Sequence, residues 1–186
     1  MIVFRDPYEA GRWAGGPVIA IGKFDAVHLG HKKMIEQAVS RARELSRRCL
    51  IVTFDPLPQQ YFSPGSEPLL PLDDRLKLLG ELGADAVLLL PFNGALACAA
   101  PEAFARNILR DTLATASVFV GANFCFGKDR AGTLDTLRTL GQECGFEVHG
   151  VPLLVLEGEV VSTSAIRALL RSDRRADAER LLGRPL

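Results

Sequence analysis

The chain has 186 residues, 48% of them hydrophobic, enough for one domain with a sizeable core. Its 22 basic residues balance 22 acidic ones, so composition gives no ground for non-specific binding to nucleic acid or an anionic membrane, and any phosphate recognition must be local. Cys49, Cys98, Cys125 and Cys144 are scattered without a Cys-x-x-Cys pair, which argues against a zinc knuckle or a disulfide framework; they read as reduced thiols, mostly core filler.

Residues 1–17 contain no apolar region of signal-peptide length. The longest apolar run, 86–92, is far too short to cross a bilayer. The expectation is a soluble cytoplasmic protein. Residues 1–16 mix residue types around Gly11, Gly15 and Gly16 and read as a short strand and a loop. The apolar run at 17–21 predicts a buried parallel strand closed by Gly22. Over 31–48, Met34, Ile35, Ala38, Val39, Ala42 and Leu45 recur at helical spacing. Residues 49–54 predict a second strand, completing a right-handed βαβ unit. Asp55-Pro56-Leu57-Pro58 ends that strand, because neither proline can donate to a ladder.

Residues 59–71 read as a long loop holding Tyr61 and Phe62, either a functional loop or a surface excursion pinned by its aromatics. Asp73 or Asp74 is expected to cap a helix through Leu82, ended by Gly83. A third strand is predicted at 84–90. Pro101 suits the first turn of a helix to about Leu109. A fourth strand follows at 117–121, then a glycine-flanked loop at 121–132 and a helix at 133–144. Residues 146–156 predict a fifth strand, interrupted at Pro152. Beyond a turn at Glu157-Gly158-Glu159 come a strand stub, a capped helix at 162–170, and a last helix capped by Asp173. This alternation predicts an α/β fold, an open parallel sheet with helices on both faces. The loops that follow its strands should converge at the carboxyl edge, where such sheets bind ligands.

Two of the three histidines, His28 and His31, flank Leu29-Gly30 in a strand-to-helix turn. The first amides of the following helix are unpaired and carry partial positive charge. Phosphate suits such a site; Gly30 allows close approach, and the imidazoles add donors. Zinc fits less well, for want of a nearby third ligand or a His-Glu-x-x-His pattern. A Ser-His-Asp triad lacks a Gly-x-Ser-x-Gly elbow. Ser162-Thr163-Ser164-Ala165-Ile166-Arg167 is a second candidate. Its hydroxyls are either ordinary helix caps or, with Arg167, phosphate ligands. The absence of Gly-x-Gly-x-x-Gly and of a P-loop motif argues against nicotinamide oxidoreductases and P-loop NTPases.

The stretch Gly22-Lys23-Phe24-Asp25-Ala26-Val27-His28-Leu29-Gly30-His31 resembles the His-x-Gly-His signature of nucleotidyltransferases, and more specifically the adenylyltransferase module of bacterial FAD synthetases. Thr53-Phe54-Asp55-Pro56-Leu57-Pro58 is similar to that family's Phe-x-Pro-x-Pro segment. Val120-Gly121-Ala122-Asn123-Phe124-Cys125-Phe126-Gly127, with Arg130 and Gly132, resembles its Gly-x-(Asp/Asn)-Phe-x-Phe-Gly loop. Ser162 to Arg167 resembles its Ser-Ser-Thr-x-x-Arg motif, and Leu182-Gly183-Arg184-Pro185 the stretch where the module ends. The resemblance covers essentially the whole chain. It implies a doubly wound, Rossmann-like nucleotidyltransferase fold with a small flap insertion.

The implied reaction is FMN + ATP → FAD + pyrophosphate, with magnesium. His28, His31 and Arg167 are the implied catalytic residues. ATP would meet Gly22, Phe24, Asp25, His28, Gly30, His31, Ser162, Thr163, Ser164 and Arg167. FMN would meet Phe54, Pro56, Pro58, Phe62, Asn123, Phe124, Phe126 and Arg130. No metal ligand is assigned. The implied partners are ATP and FMN, with a separate riboflavin kinase upstream, since no kinase module is expected within these 186 residues; neither nucleic acid nor membrane is implied.

Two residues depart from the family pattern. Lys23 replaces a usual Asn and Ala26 a usual Gly, and alanine would be strained if that position needs positive φ. The alternatives are a related nucleotidyltransferase with another phosphorylated acceptor, or a catalytically weakened flavin- or nucleotide-binding module.

Overall fold

The computed structural model describes residues 1–186. In chain order, β1 (Ile2–Phe4) leads to α1 (Pro7–Ala14), β2 (Val18–Ile21), α2 (Leu29–Glu44) and β3 (Cys49–Asp55). The short α3 (Pro58–Phe62) and α4 (Leu72–Glu81) precede β4 (Ala86–Pro91) and a turn of helix, α5 (Gly94–Ala97). A longer helix opens as α6 (Pro101–Ala103) and continues with π geometry over Phe104–Thr112. Then come β5 (Ser117–Gly121), β6 (Cys125–Phe126), a 3-10 turn (Lys128–Arg130), β7 (Gly132–Thr133), α7 (Leu134–Cys144) and β8 (Glu147–Val151). The chain closes with β9 (Val155–Leu156), β10 (Glu159–Val160), α8 (Thr163–Arg171) and α9 (Arg175–Leu182).

The main sheet has the order β1-β4-β3-β2-β5-β8, and every neighbouring pair in it is parallel. The four central strands, β2 to β5, read as largely apolar runs because both faces are covered. Ile19, Ile21, Leu50, Val52, Leu88, Val118 and Val120 point into one core, with Phe104, Leu109, Leu137 and Leu140. The alternate residues Val18, Ala20, Ile51, Val87, Leu89 and Phe119 point into the other, with Met34, Ile35, Ala38 and Leu79. A smaller core under α8 and α9 includes Ala26, from the turn after β2. The chain steps outward from β2 to β3 and β4, then returns to β5 on the other side of β2. The winding therefore reverses between β2 and β5, and the crevice outside their carboxyl ends is where such folds bind ligands.

The architecture is the expected open α/β sheet, with six strands in place of five because β1 adds a parallel edge beside β4. The first sixteen residues hold a helix as well as that strand. Asp6 caps α1 by accepting from Tyr8 N at 2.7 Å. Gly11 breaks the sequence pattern there because a Cβ would stand 2.0 Å from Thr112 O; glycine is what lets α1 lie on the π segment. Neither Asp73 nor Asp74 caps α4, whose N-cap is Pro71; both acids sit in its first turn, where they favour the positive end of the helix dipole. Asp173 likewise does not cap α9, whose N-cap position is Arg174; Asp173 instead takes a left-handed φ of 57° in the preceding turn.

The 59–71 loop begins inside α3. The helix expected to stop near Leu109 runs on to Thr112 because the ladder shifts to wider spacing, as in Leu113 N to Ile108 O at 2.9 Å. The predicted fifth strand divides at Pro152 into β8 in the main sheet and β9, which pairs only with β10. Of the cysteines expected as core filler, only Cys49 is buried, while Cys98 and Cys125 are exposed.

Candidate functional site

The turn after β2 holds two residues in the left-handed region, Phe24 (φ 49°) and Val27 (φ 43°). Ala26 is not among them: it sits buried against Val161, Ile166 and Leu169, so alanine in place of glycine adds packing without backbone strain. A β-branched residue at positive φ is uncommon, and Val27 holds that conformation directly before His28. His28 is the N-cap of α2, and its Nδ1 accepts from His31 N at 3.2 Å. That bond puts the proton of a neutral His28 ring on Nε2, which remains free to donate. The two imidazoles stack with centroids 3.6 Å apart, and the Phe24 ring meets His31 edge-on at 5.1 Å. Gly30 makes this possible, since a Cβ there would stand 3.2 Å from His28 Nδ1.

Both rings are neutral near pH 7. Burial, aided by the Arg184 guanidinium, pushes His28 down to about 4. Burial, then His28, then Lys23 hold His31 well below its usual range. Nδ1 of His31 is buried without a partner, the kind of unsatisfied group that functional sites retain. The turn therefore presents hydrogen-bond donors and helix amides, with full positive charge supplied from its surroundings.

Arg167 on α8 faces this turn. Its Nη2 donates to Asp25 Oδ2 at 2.8 Å and to Glu67 O at 2.8 Å. Asp25, 1% exposed, also accepts from Gln59 Nε2 at 3.0 Å and from Leu69 N at 2.8 Å. One buried carboxylate thus ties together the turn, the 59–71 segment and α8. Asp25, expected to meet ATP, accepts from these three donors within the chain. The Phe24 side chain is fully buried and supports the turn from beneath. Ser162 caps α8 by accepting from Ala165 N at 3.2 Å, the ordinary role of a serine there. Thr163 is partly exposed and Ser164 exposed in the first turn of α8.

The apolar side of the site gathers at the carboxyl ends of β3, β4 and β5. Phe92, directly after β4, meets Phe54, Tyr61 and Phe62 edge-on at 5.7, 5.5 and 5.7 Å. Phe62 is 67% exposed. Pro56 is exposed and Pro58 half-buried at the start of α3. In the loop after β5, Phe124 stacks on Phe126 at 5.4 Å, while Phe126 is buried and packs on Phe104. Of the two rings expected to meet a flavin, Phe126 is a core residue and Phe124 the more accessible one. Asn123 and Arg130 are exposed on the same loop.

Two contributors, Phe92 and Arg75, escape the sequence motifs, and a third, Arg184, lies in the Leu182–Pro185 stretch without a site role assigned to it. Phe92 could be found by the rule that exposes His28, since it follows a strand at the same sheet edge. Arg75, 3% exposed, donates to Lys23 O at 3.3 Å and Phe54 O at 3.1 Å, joining the two sides of the site; within α4 it reads as a surface arginine. Arg184 donates to the carbonyls of Ala26 and Val27.

The sequence profile of FAD synthetase matches residues 12–165. A bifunctional riboflavin kinase/FMN adenylyltransferase from Pseudomonas fluorescens is 38% identical over 171 residues, covering 91% of this chain and 55% of that protein. Its counterpart in Escherichia coli (strain K12) is 32% identical with the same coverage. A putative bifunctional riboflavin kinase/FMN adenylyltransferase from Geobacillus thermodenitrificans is 34% identical, with 92% of each chain covered. The chain thus spans about half the length of the first two relatives. Among solved structures, a protein described as a macrolide-efflux protein from Streptococcus pneumoniae superposes with a TM-score of 0.85 at 23% identity, covering all of this chain and 60% of that one. Pantothenate synthetase from Thermus thermophilus gives 0.60 at 18% identity, covering 96% and 71%. These structural likenesses speak for the fold alone.

Proposed function

The chain belongs to the FAD synthetase family, and on that premise we propose that it transfers AMP from ATP to the phosphate of FMN, releasing pyrophosphate and forming FAD. The observation that carries this reading is the stacked, neutral pair His28 and His31 at the start of α2, across from Arg167 and beside the Phe54, Phe62 and Phe92 cluster. A triphosphate suits the first half and a planar aromatic ring the second.

The FMN phosphate is already largely ionised at neutral pH, so its attack on the α-phosphorus needs no general base. The site contributes alignment and charge stabilisation. His28 Nε2–H and the first amides of α2 donate to phosphate oxygens, while His31 packs against and orients the His28 ring. Only Nη2 of Arg167 is engaged in the chain, which leaves the rest of its guanidinium for the leaving pyrophosphate. Thr163 and Ser164 join it at the start of α8, and the exposed Lys23 adds charge at the turn. FMN lies against Phe54, Pro56, Pro58, Phe62 and Phe92, with Asn123, Phe124 and Arg130 from the opposite loop.

Asp25 accepts from donors within the chain, and no group of three or more His, Cys, Asp or Glu gathers to hold an ion. In this reading magnesium arrives on the ATP phosphates. FMN comes from a riboflavin kinase activity acting upstream, and the use of ATP is consistent with the cytoplasm. No helix is long and apolar enough to cross a membrane.

Incubation of the purified chain with FMN, ATP and magnesium tests the proposal. FAD and pyrophosphate should appear in equal amounts and be lost in His31→Ala. Flavin binding without turnover, or pyrophosphate exchange without FAD, would overturn it.

A further inference from the structure

We propose that Arg184 is a positioning residue for His28, holding the strained turn from a clasp formed by residues 183–186. The inference rests on the adenylyl-transfer reading for its kinetic consequence and on geometry alone for its structural one.

The guanidinium donates Nη2 to Ala26 O at 2.7 Å and Nη1 to Val27 O at 3.0 Å. These two carbonyls belong to the peptide planes on either side of the Val27 Cα. Rotating either plane, about φ or about ψ of Val27, breaks one arm of the fork. A planar, two-pronged donor therefore fixes both torsions at once, which a single point donor cannot do. The restraint falls on a β-branched residue held at φ 43°, a conformation that persists only when its surroundings over-determine it. The second of those planes leads into His28, whose extended backbone (φ −79°, ψ 173°) and Nδ1 bond to His31 N set where its Nε2–H points.

The clasp itself is seated on α2. Gly183 ends α9 in the left-handed region at φ 65°. A Cβ on it would lie 2.3 Å from Leu29 Cδ2, so glycine lets the chain rest directly on the first residue of α2. Lys32 Nζ donates to Gly183 O at 3.3 Å, and Leu186 N donates to Glu179 Oε1 at 3.1 Å. Leu181 and Leu182 anchor α9 in the core that also buries Ala26. Arg184 thus reaches the turn from 157 positions away along the chain and directs its charge at main-chain oxygens next to the two histidines. Burial lowers its own pKa, consistent with a guanidinium built into the turn.

Arg184→Ala and Arg184→Lys test this with kinetics and with the ring resonances of His28, which are tractable in a chain of three histidines. Arg184→Ala should move the His28 resonances and lower kcat about tenfold or more, with KM for FMN changed by less than about twofold, because alignment is lost at the reacting phosphate and not at the ring. Arg184→Lys should fall between the two, since it keeps the charge without the fork. Added guanidinium ion at non-denaturing concentration should partly restore the Ala variant and leave the Lys variant unchanged. The proposal is overturned if folded Arg184→Ala keeps both kcat and the His28 resonances of the unsubstituted chain, or if its loss is confined to thermal stability. Failure of the unsubstituted chain to make FAD would sink the adenylyl-transfer reading instead, and the His28 resonances would still decide the role of Arg184.

Discussion

His28 gives the fold a defined sensitivity to acid, and its size follows from the structure. The ring is 6% exposed and accepts the His31 amide through Nδ1, so protonation both charges a buried group and removes the cap of α2. In the unfolded chain the imidazole binds its proton near 6.5, whereas in the fold it does so only at about 4. Between those values the unfolded state carries more protons, so stability rises with pH. The contribution is complete above pH 6.5 and is lost as pH falls through 4. The gap between 6.5 and about 4, at about 1.4 kcal/mol per unit, is worth about 3 kcal/mol. His31 adds in the same direction. His28→Asn keeps a capping acceptor without a titrating group and should remove the His28 share of the slope. Urea denaturation of both proteins from pH 7.5 to 4 measures it: the unsubstituted chain should lose about 3 kcal/mol more than the variant over that window. Parallel stability curves, or a His28 titration near 6.5, would refute the argument.

Five further substitutions probe the site. Asp25→Ala strands the Arg167 guanidinium and the Leu69 amide and should cost about 3 kcal/mol, with faster proteolytic cleavage within 59–71 as the sign that the segment has come loose; an unchanged cleavage rate would contradict the tie. Gly30→Ala pushes on His28 Nδ1 from 3.2 Å and should cut kcat roughly tenfold or more, measured as FAD formation at saturating substrates. Arg75→Met removes the guanidinium that bridges Lys23 O and Phe54 O, leaving Lys23 O with only its bond from Thr53 Oγ1, and should destabilise the fold by about 2–3 kcal/mol while raising KM for ATP and FMN together; a rise in only one would show that Arg75 does not couple the two sides. Phe62→Ala should leave stability within about 0.5 kcal/mol yet weaken FMN binding, whereas Phe126→Ala should cost about 3–5 kcal/mol as a core truncation; calorimetry and flavin fluorescence separate the two.

The contrast between those two phenylalanines shows where the sequence stops being informative. The family resemblance implies both as flavin contacts, and spacing alone cannot say which ring faces solvent. That depends on Phe104, which meets Phe126 from the helix expected at 101–109, a pairing of distant elements that no local pattern specifies. The same holds for α4 and α9: their helical character is readable, but Pro71 and Arg174, not the nearby aspartates, stand at the N-caps, because tertiary packing sets where each helix begins, while α1 occupies a stretch that reads as a short strand and a loop.

The sheet and its ligand-binding edge follow from the residues in order. Short apolar runs rich in β-branched residues and closed by Gly or Pro read as strands covered on both faces, and a Gly-containing turn opening an amphipathic helix leaves unpaired amides, so His28, His31 and the α8 N-terminus were legible as local chemistry. It took the folded chain to reveal that Asp25 binds protein donors, that Ala26 is unstrained while Val27 is not, and that Arg75 and Arg184 grip the turn. The contacts of Asp25, Arg75 and Arg184 at the turn join residues from 34 to 158 positions apart. A hydrogen bond to a backbone carbonyl carries no side-chain signature at its acceptor, and so leaves no motif to read.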